Sequence, residues 1–215
     1  MNLLESIDRY CERTDASWWS EPVNALTNLA FVLAAWWLLR RQYPADVRPE
    51  VRRLAVLLGL IGVCSGIFHV SGTVLGAILD VASIALFILF YLFRFLRRVL
   101  YWQMAPAFLA VLALLGADRA VAAIGSLGLN GSESYIPPWL ALVMLAFASL
   151  RQAPSAAGWL FGAALLFLVS FSLRVLDMQL CAEWPLGTHF GWHVLNAAVL
   201  YLCVRGLAAG CRDRL

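Results

Sequence analysis

Two histidines four residues apart, His189 and His193, open the last apolar run of the chain, "HFGWHVLNAAVLYLCV". That spacing puts both imidazoles on one face of a helix, one turn apart. Alone, the pair is compatible with a metal, with a haem, or with two imidazoles satisfied by hydrogen bonds to neighbouring helices. The only other histidine, His69, closes an earlier apolar run. Should the topology bring these ends to one depth, three neutral imidazoles converge, which is the ligand set of a catalytic zinc with a fourth position left for water.

Two further polar residues share that neighbourhood. Ser65 precedes His69 by one helical turn in "CSGIFHV", and Asp80 follows in "GAILDVAS". A carboxylate within a membrane span is costly and marks a functional site by default. Its simpler reading is an acid at a helix N-terminus, favoured by the dipole. For Ser65 the simpler reading is a hydroxyl bonded to the carbonyl one turn earlier.

The elements that must position these residues are membrane spans. Of the 215 residues, 62% are hydrophobic and only 13% charged, against roughly half and a quarter in soluble domains, and the mean hydropathy is +0.79. Apolar segments of spanning length fall at 25–39, 54–72, 77–95, 105–123, 136–150, 158–176 and 187–207. The expectation is one all-α domain over residues 1–215, a seven-transmembrane helix bundle preceded by an extramembrane segment, 1–23. That segment lacks a basic start, an apolar core and a cleavage site, so it is expected to stay in the mature chain rather than act as a signal peptide.

All sixteen basic residues are Arg, a composition that hints at a GC-rich bacterial coding sequence. Twelve of them, including Arg40, Arg41, Arg94, Arg98, Arg205 and Arg214, fall in the first, third and fifth loops and the C-terminal tail. The positive-inside rule therefore predicts a cytoplasmic C-terminus and an N-terminus outside, in a bacterial inner membrane with the histidines near the periplasmic side. The acids gather at the opposite, outer side. They are either solvated or available to a cation. The Arg groups read as short collars at helix ends; no nucleic-acid-binding patch or obligate protein partner is evident, and the expected surroundings are the lipid bilayer. Arg174 and Asp177, one turn apart, are expected to pair, and Trp18, Trp19, Trp139, Trp184 and Trp192 read as interfacial aromatics, with Trp192 also a candidate pocket wall.

Ser-x3-His, an Asp eleven residues later and His-x3-His in the last span resemble the alkaline ceramidase family, seven-helix membrane amidases in a superfamily with the adiponectin and progestin receptors. "YCER", "EPVNALTN", "SGIFH" and "RVLDMQLC" extend the likeness over nearly the whole chain. The resemblance implies zinc on His69, His189 and His193, Asp80 acting on the zinc-bound water, and Ser65 holding the substrate carbonyl or its oxyanion. It implies hydrolysis of the N-acyl amide of ceramide or a similar N-acyl sphingolipid to a fatty acid and a sphingoid base. It also implies a calcium site in the N-terminal segment, with Glu12, Glu21 and Asn24 at or beside ligand positions. Arg9 and Thr14 stand where the family has an acid and an Asn, and Asp8 and Asp15 lie next to them as substitutes. A solvated acidic N-terminus is the alternative. A disulfide between Cys11 and Cys181 is implied in the same way. A reading from another class is a receptor-like seven-helix protein in which zinc is structural.

Overall fold

The computed structural model describes residues 2–213, and Arg214, counted with the basic collars, lies outside the described residues. The described residues form helices and turns, with no strand. The helices are α1 (Pro22–Thr27), α2 (Leu29–Arg40), α3 (Arg48–Ser71), α4 (Val74–Arg98), α5 (Met104–Ile124), α6 (Ile136–Gln152), α7 (Pro154–Leu176) and α8 (His189–Gly210). Taken together, α1 and α2 make one span interrupted at Asn28, so seven helical segments are long and apolar enough to cross a membrane. The 24 residues of α3 measure about 36 Å at 1.5 Å per residue, enough for a hydrocarbon core of about 30 Å.

Local chemistry sets the helix ends. Prolines open α1, α3, α6 and α7 within their first two positions, where no intrahelical N–H bond is lost. Thr73 caps α4 by accepting a hydrogen bond from the Gly76 N–H at 3.2 Å, the usual satisfaction of an orphan donor. Only Gly72 and Thr73 separate α3 from α4, and only Ala153 separates α6 from α7, so each pair must run antiparallel. At Gly62 of α3 a Cβ would lie 2.9 Å from the Asn28 carbonyl oxygen. The absent side chain lets α3 approach the α1–α2 break.

Helix α8 is the most enclosed span and α5 the least. α8 packs along α7 and also meets α1, α2, α3 and α4, which brings its first turn beside the end of α3. On α5 only Ala107 and Leu114 are buried, so one flank of the bundle is loosely closed. The extended N-terminal segment crosses the α3–α4 turn, with the Ile7 N–H on the Gly72 carbonyl at 2.7 Å, the Val74 N–H on the Glu5 carbonyl at 3.1 Å and the Trp19 N–H on the Val70 carbonyl at 3.2 Å. It roofs the end of the bundle where the histidines sit.

The opposite end carries the arginines. There, buried Glu50 accepts from Arg94 Nε at 2.8 Å and lies 3.9 Å from Arg98 Nε. Part of the basic collar is therefore engaged in an ion-pair network rather than left to lipid headgroups. Trp192, expected among the interfacial aromatics, is buried at 3% exposure and packs on Tyr135 and Phe167. Trp18, Trp19 and Trp184 are exposed.

Candidate metal centre

His69 lies in the last turn of α3, while His189 is the first residue of α8 and His193 follows one turn later. All three are buried. Their ring centroids are 5.2 Å (69 to 189), 4.7 Å (69 to 193) and 4.5 Å (189 to 193) apart. One nitrogen from each lies within 4.8 Å of the others, close enough for all three to hold one metal ion.

The surrounding bonds orient the rings. His69 Nδ1 meets Glu21 Oε2 at 2.6 Å, which leaves its buried Nε2 without a protein partner. His193 Nδ1 is 2.9 Å from the Thr27 hydroxyl. That hydroxyl donates back to the Val23 and Asn24 carbonyls at 2.8 and 3.0 Å, so it can only accept from the imidazole. The proton then sits on His193 Nδ1 and the lone pair on Nε2. His189 stacks on Tyr10 at 3.6 Å and 15°, with its Nδ1 buried and without a partner. A carboxylate or hydroxyl behind each ligating imidazole is the ordinary outer shell of a metal site. Orphaned buried imidazole nitrogens call for a partner such as a metal ion or a water.

Glu21 is itself held. Its Oε1 accepts from Arg13 Nε at 2.5 Å, and Asn24 Nδ2 donates to its Oε2 at 3.2 Å. Burial acts to raise the Glu21 pKa, but the hydrogen bonds and charges of His69 and Arg13 together hold it below the ordinary glutamate range. The Arg13 guanidinium also donates to the carbonyls of Asp15, Ser17 and His69 at 3.2, 3.3 and 3.1 Å.

These contacts bear on the calcium expectation. Glu12 uses both carboxylate oxygens on the Val23 and Asn24 N–H groups, at 2.6 and 2.8 Å, where it serves the N-terminus of α1. Asp15 accepts from the Ser17 N–H and hydroxyl, bonds that hold its carboxyl below the usual range. Asp8 is exposed. Among the described residues, the histidine trio is the one group of three or more His, Cys, Asp or Glu side chains gathered tightly enough to hold an ion. Glu12, Asp15 and Glu21 thus each accept from protein donors. The Glu21 carboxylate and three carbonyls surround the Arg13 guanidinium.

Asp177 does not pair with Arg174. Its Oδ1 accepts from the Thr188 and His189 N–H groups at 2.7 and 2.9 Å, and its Oδ2 from the Cys11 N–H at 3.1 Å. One carboxylate thus caps α8 and anchors the roof, favoured by the helix dipole. Gly187 has a φ of +65°, and a Cβ there would press on this carboxylate and come within 2.7 Å of Cys11 Cβ. Cys11 and Cys181 form a disulfide, which joins the roof to the turn after α7.

Ser65, Asp80, His189 and His193 line one cavity of about 30 Å³, room for one or two waters. α4 begins at Val74, so Asp80 stands nearly two turns inside it rather than at its start. The dipole explanation weakens accordingly, and Asp80 Oδ1 is buried with no hydrogen-bond partner. Two further cavities adjoin through Ile84 and Tyr135: an apolar one of about 70 Å³ among α4, α6, α7 and α8, and one of about 300 Å³ on the loosely closed flank between α4, α5 and α6.

Sequence reasoning missed Arg13 and Thr27 as supports, and gave Asp177 a supporting role through Arg174 rather than through the N–H groups it accepts from. The polar run "EPVNALTN" next to a histidine-rich end was the available signal, because ligating imidazoles need such neighbours. No protein-family model and no curated protein matches the chain.

Proposed function

We propose that this is a membrane-embedded, zinc-dependent amidohydrolase that cleaves the N-acyl bond of ceramide or a ceramide-like lipid. The observation that carries the reading is the Asp80 carboxylate, whose buried Oδ1 has no hydrogen-bond partner and which Ser65 hydrogen-bonds, in one small cavity with two of three clustered imidazoles. Three neutral imidazoles suit zinc. A structural site, closed by its own ligands, would have no use for a lone carboxylate facing the same space. Zinc, when bound, supplies a Lewis acid and makes hydroxide available near neutral pH.

The chain's own groups account for the rest. Asp80 accepts the proton of the attacking water and passes it to the leaving amine. Ser65, one turn before His69 on α3, donates to the carbonyl oxygen as negative charge builds there. Glu21 and Thr27 keep two imidazoles aimed, and the roof excludes bulk water. The site cavity admits little more than an amide and a water, so the chains of the lipid must occupy the adjoining apolar spaces. The open flank along α5 offers entry from the bilayer.

The reading includes orientation. The arginine-rich end faces the cytoplasm by the positive-inside rule, which puts the N-terminus and the metal centre on the outer, periplasmic face of a bacterial inner membrane. Metal analysis of the purified protein, coupled to fatty-acid release from a panel of N-acyl lipids, tests the activity. Stoichiometric zinc with metal-dependent release supports it, whereas zinc without release from any amide favours a receptor-like protein with a structural metal.

A further inference from the structure

Arg174, in the last turn of α7, is 9% exposed and forms no ion pair among the described residues. Its guanidinium lies 5.6, 5.2 and 5.8 Å from the ring centres of Tyr10, Tyr135 and Trp192, and one N–H donates to the Tyr10 hydroxyl at 3.1 Å. Its Nε is buried with no acceptor. Aromatic faces attract the charge, and the Tyr10 and Tyr135 hydroxyls take hydrogen bonds from it, but the Nε–H is left unanswered. A buried charge is ordinarily paired, because an unpaired one is among the costlier groups a fold can hold.

The position of this arginine gives the imbalance a use. Arg174 lines both the 30 Å³ site cavity and the 300 Å³ lateral cavity. So does Arg9, from the roof. Two carboxylates face the same spaces, Asp80 in the first and Asp118 in the second. Neither lies within ion-pair distance of Arg174, although Asp80 and Arg174 attract each other across the shared cavity. Two guanidiniums therefore flank the junction between the place where an amide would react and the place where the larger part of a lipid would lie.

We propose that Arg174, assisted by Arg9, forms a subsite for an anionic group, a carboxylate or a phosphate, carried on the amine side of the substrate next to the scissile amide. A planar guanidinium fork matches both anions, and burial keeps the Arg174 contact from being screened, while Arg9 is exposed. The substrate class is thereby narrowed from neutral ceramides to acidic N-acyl lipids. The inference rests on the hydrolase reading for its placement, but anion recognition itself is a binding property and can be read separately.

The test uses the protein as purified and three amides of one acyl chain: ceramide, ceramide 1-phosphate and N-acyl serine. Two quantities are measured for each lipid, kcat/KM and the shift in unfolding temperature on binding. Wild type is expected to prefer at least one anionic lipid by about tenfold or more, the scale of a charge-assisted hydrogen bond. Arg174→Gln is expected to bring the ratio toward one, chiefly through KM, and Arg9→Gln to reduce it partly; the phosphate and carboxylate arms identify the anion. A purely structural arginine would lower the unfolding temperature of the unliganded protein and leave the preference intact. That result overturns the proposal, as does a wild type indifferent to charge, or free fatty acid producing the same shift as the anionic amides. Preferential binding without hydrolysis of any amide upholds the subsite and removes the hydrolase reading. Hydrolysis without preference does the reverse. Should Arg174→Gln fail to fold, the wild-type ratio and Arg9→Gln still decide.

Discussion

Glu21 joins a fixed cation to one ring of the histidine trio: Arg13 Nε lies 2.5 Å from its Oε1, and His69 Nδ1 lies 2.6 Å from its Oε2. The carboxylate fixes which nitrogen of His69 carries a proton, and so turns Nε2 toward the other imidazoles. Replacing it with Gln keeps the shape but removes the charge that makes the ring a strong ligand. Glu21→Gln is expected to weaken metal affinity by about 10–100-fold, the usual effect of losing such a partner. Zinc retained after dialysis against graded chelator measures it, and unchanged retention would show that Glu21 serves only Arg13.

Arg13 supplies, within the chain, the positive charge that a bound cation would otherwise bring to the N-terminal segment. Its donors reach Glu21 and three carbonyls, one of them from His69. A calcium-selective chelator is therefore expected to leave activity and unfolding temperature unchanged, while a strong zinc chelator abolishes turnover and zinc alone restores it. Arg13→Ala takes the fixed cation from buried Glu21 and leaves it only His69 and Asn24; breaking a buried pair costs about 3–5 kcal/mol, so the unfolding temperature is expected to fall markedly. Loss of activity on calcium removal, rescued by calcium, would mean that the N-terminal acids bind an ion after all.

Asp80 makes no hydrogen bond through Oδ1, and an Asn there keeps an oxygen to accept from Ser65, so the replacement disturbs little that holds the fold together. Asp80→Asn is expected to keep full metal content and lose turnover by about 10²–10⁴-fold, the range for removing a general acid–base group. Undiminished kcat in a zinc-loaded variant would exclude it as the proton-transfer group.

The spans were legible because a membrane helix is written in composition: each of the seven apolar runs corresponds to a helical span, with ends displaced by a few residues. Those displacements matter most at Asp80, where extending α4 back to Val74 moves the acid from the helix start to its second turn. The histidine trio was legible from depth and four-residue spacing, both of which follow from helix geometry. Its supports were not, since Glu21 to His69 and Thr27 to His193 are contacts between elements far apart in sequence. Nothing local distinguishes a glutamate that binds a cation from one that accepts from an arginine and an imidazole. The same limit made Arg174 and Asp177 look like a pair: one-turn spacing permits that contact, but the N–H groups at the start of α8 claim Asp177 instead.

The Cys11–Cys181 disulfide ties stability to topology. It closes a sequence separation of 170 residues and fastens the segment whose Tyr10 stacks on His189. Native disulfides typically contribute about 2–5 kcal/mol, so Cys11→Ser is expected to lower the unfolding temperature and to loosen zinc without removing its ligands. The bond also needs an oxidising compartment, which the outer face of a bacterial inner membrane provides and the cytoplasm does not. Made in cells with an intact periplasmic oxidation system, the protein should present Cys11 and Cys181 as blocked to alkylation until reduced. In cells lacking that system both thiols should label. Labelling of both thiols in the first strain would reverse the proposed orientation, and an unfolding temperature insensitive to reductant would deny the bond its part in holding the roof.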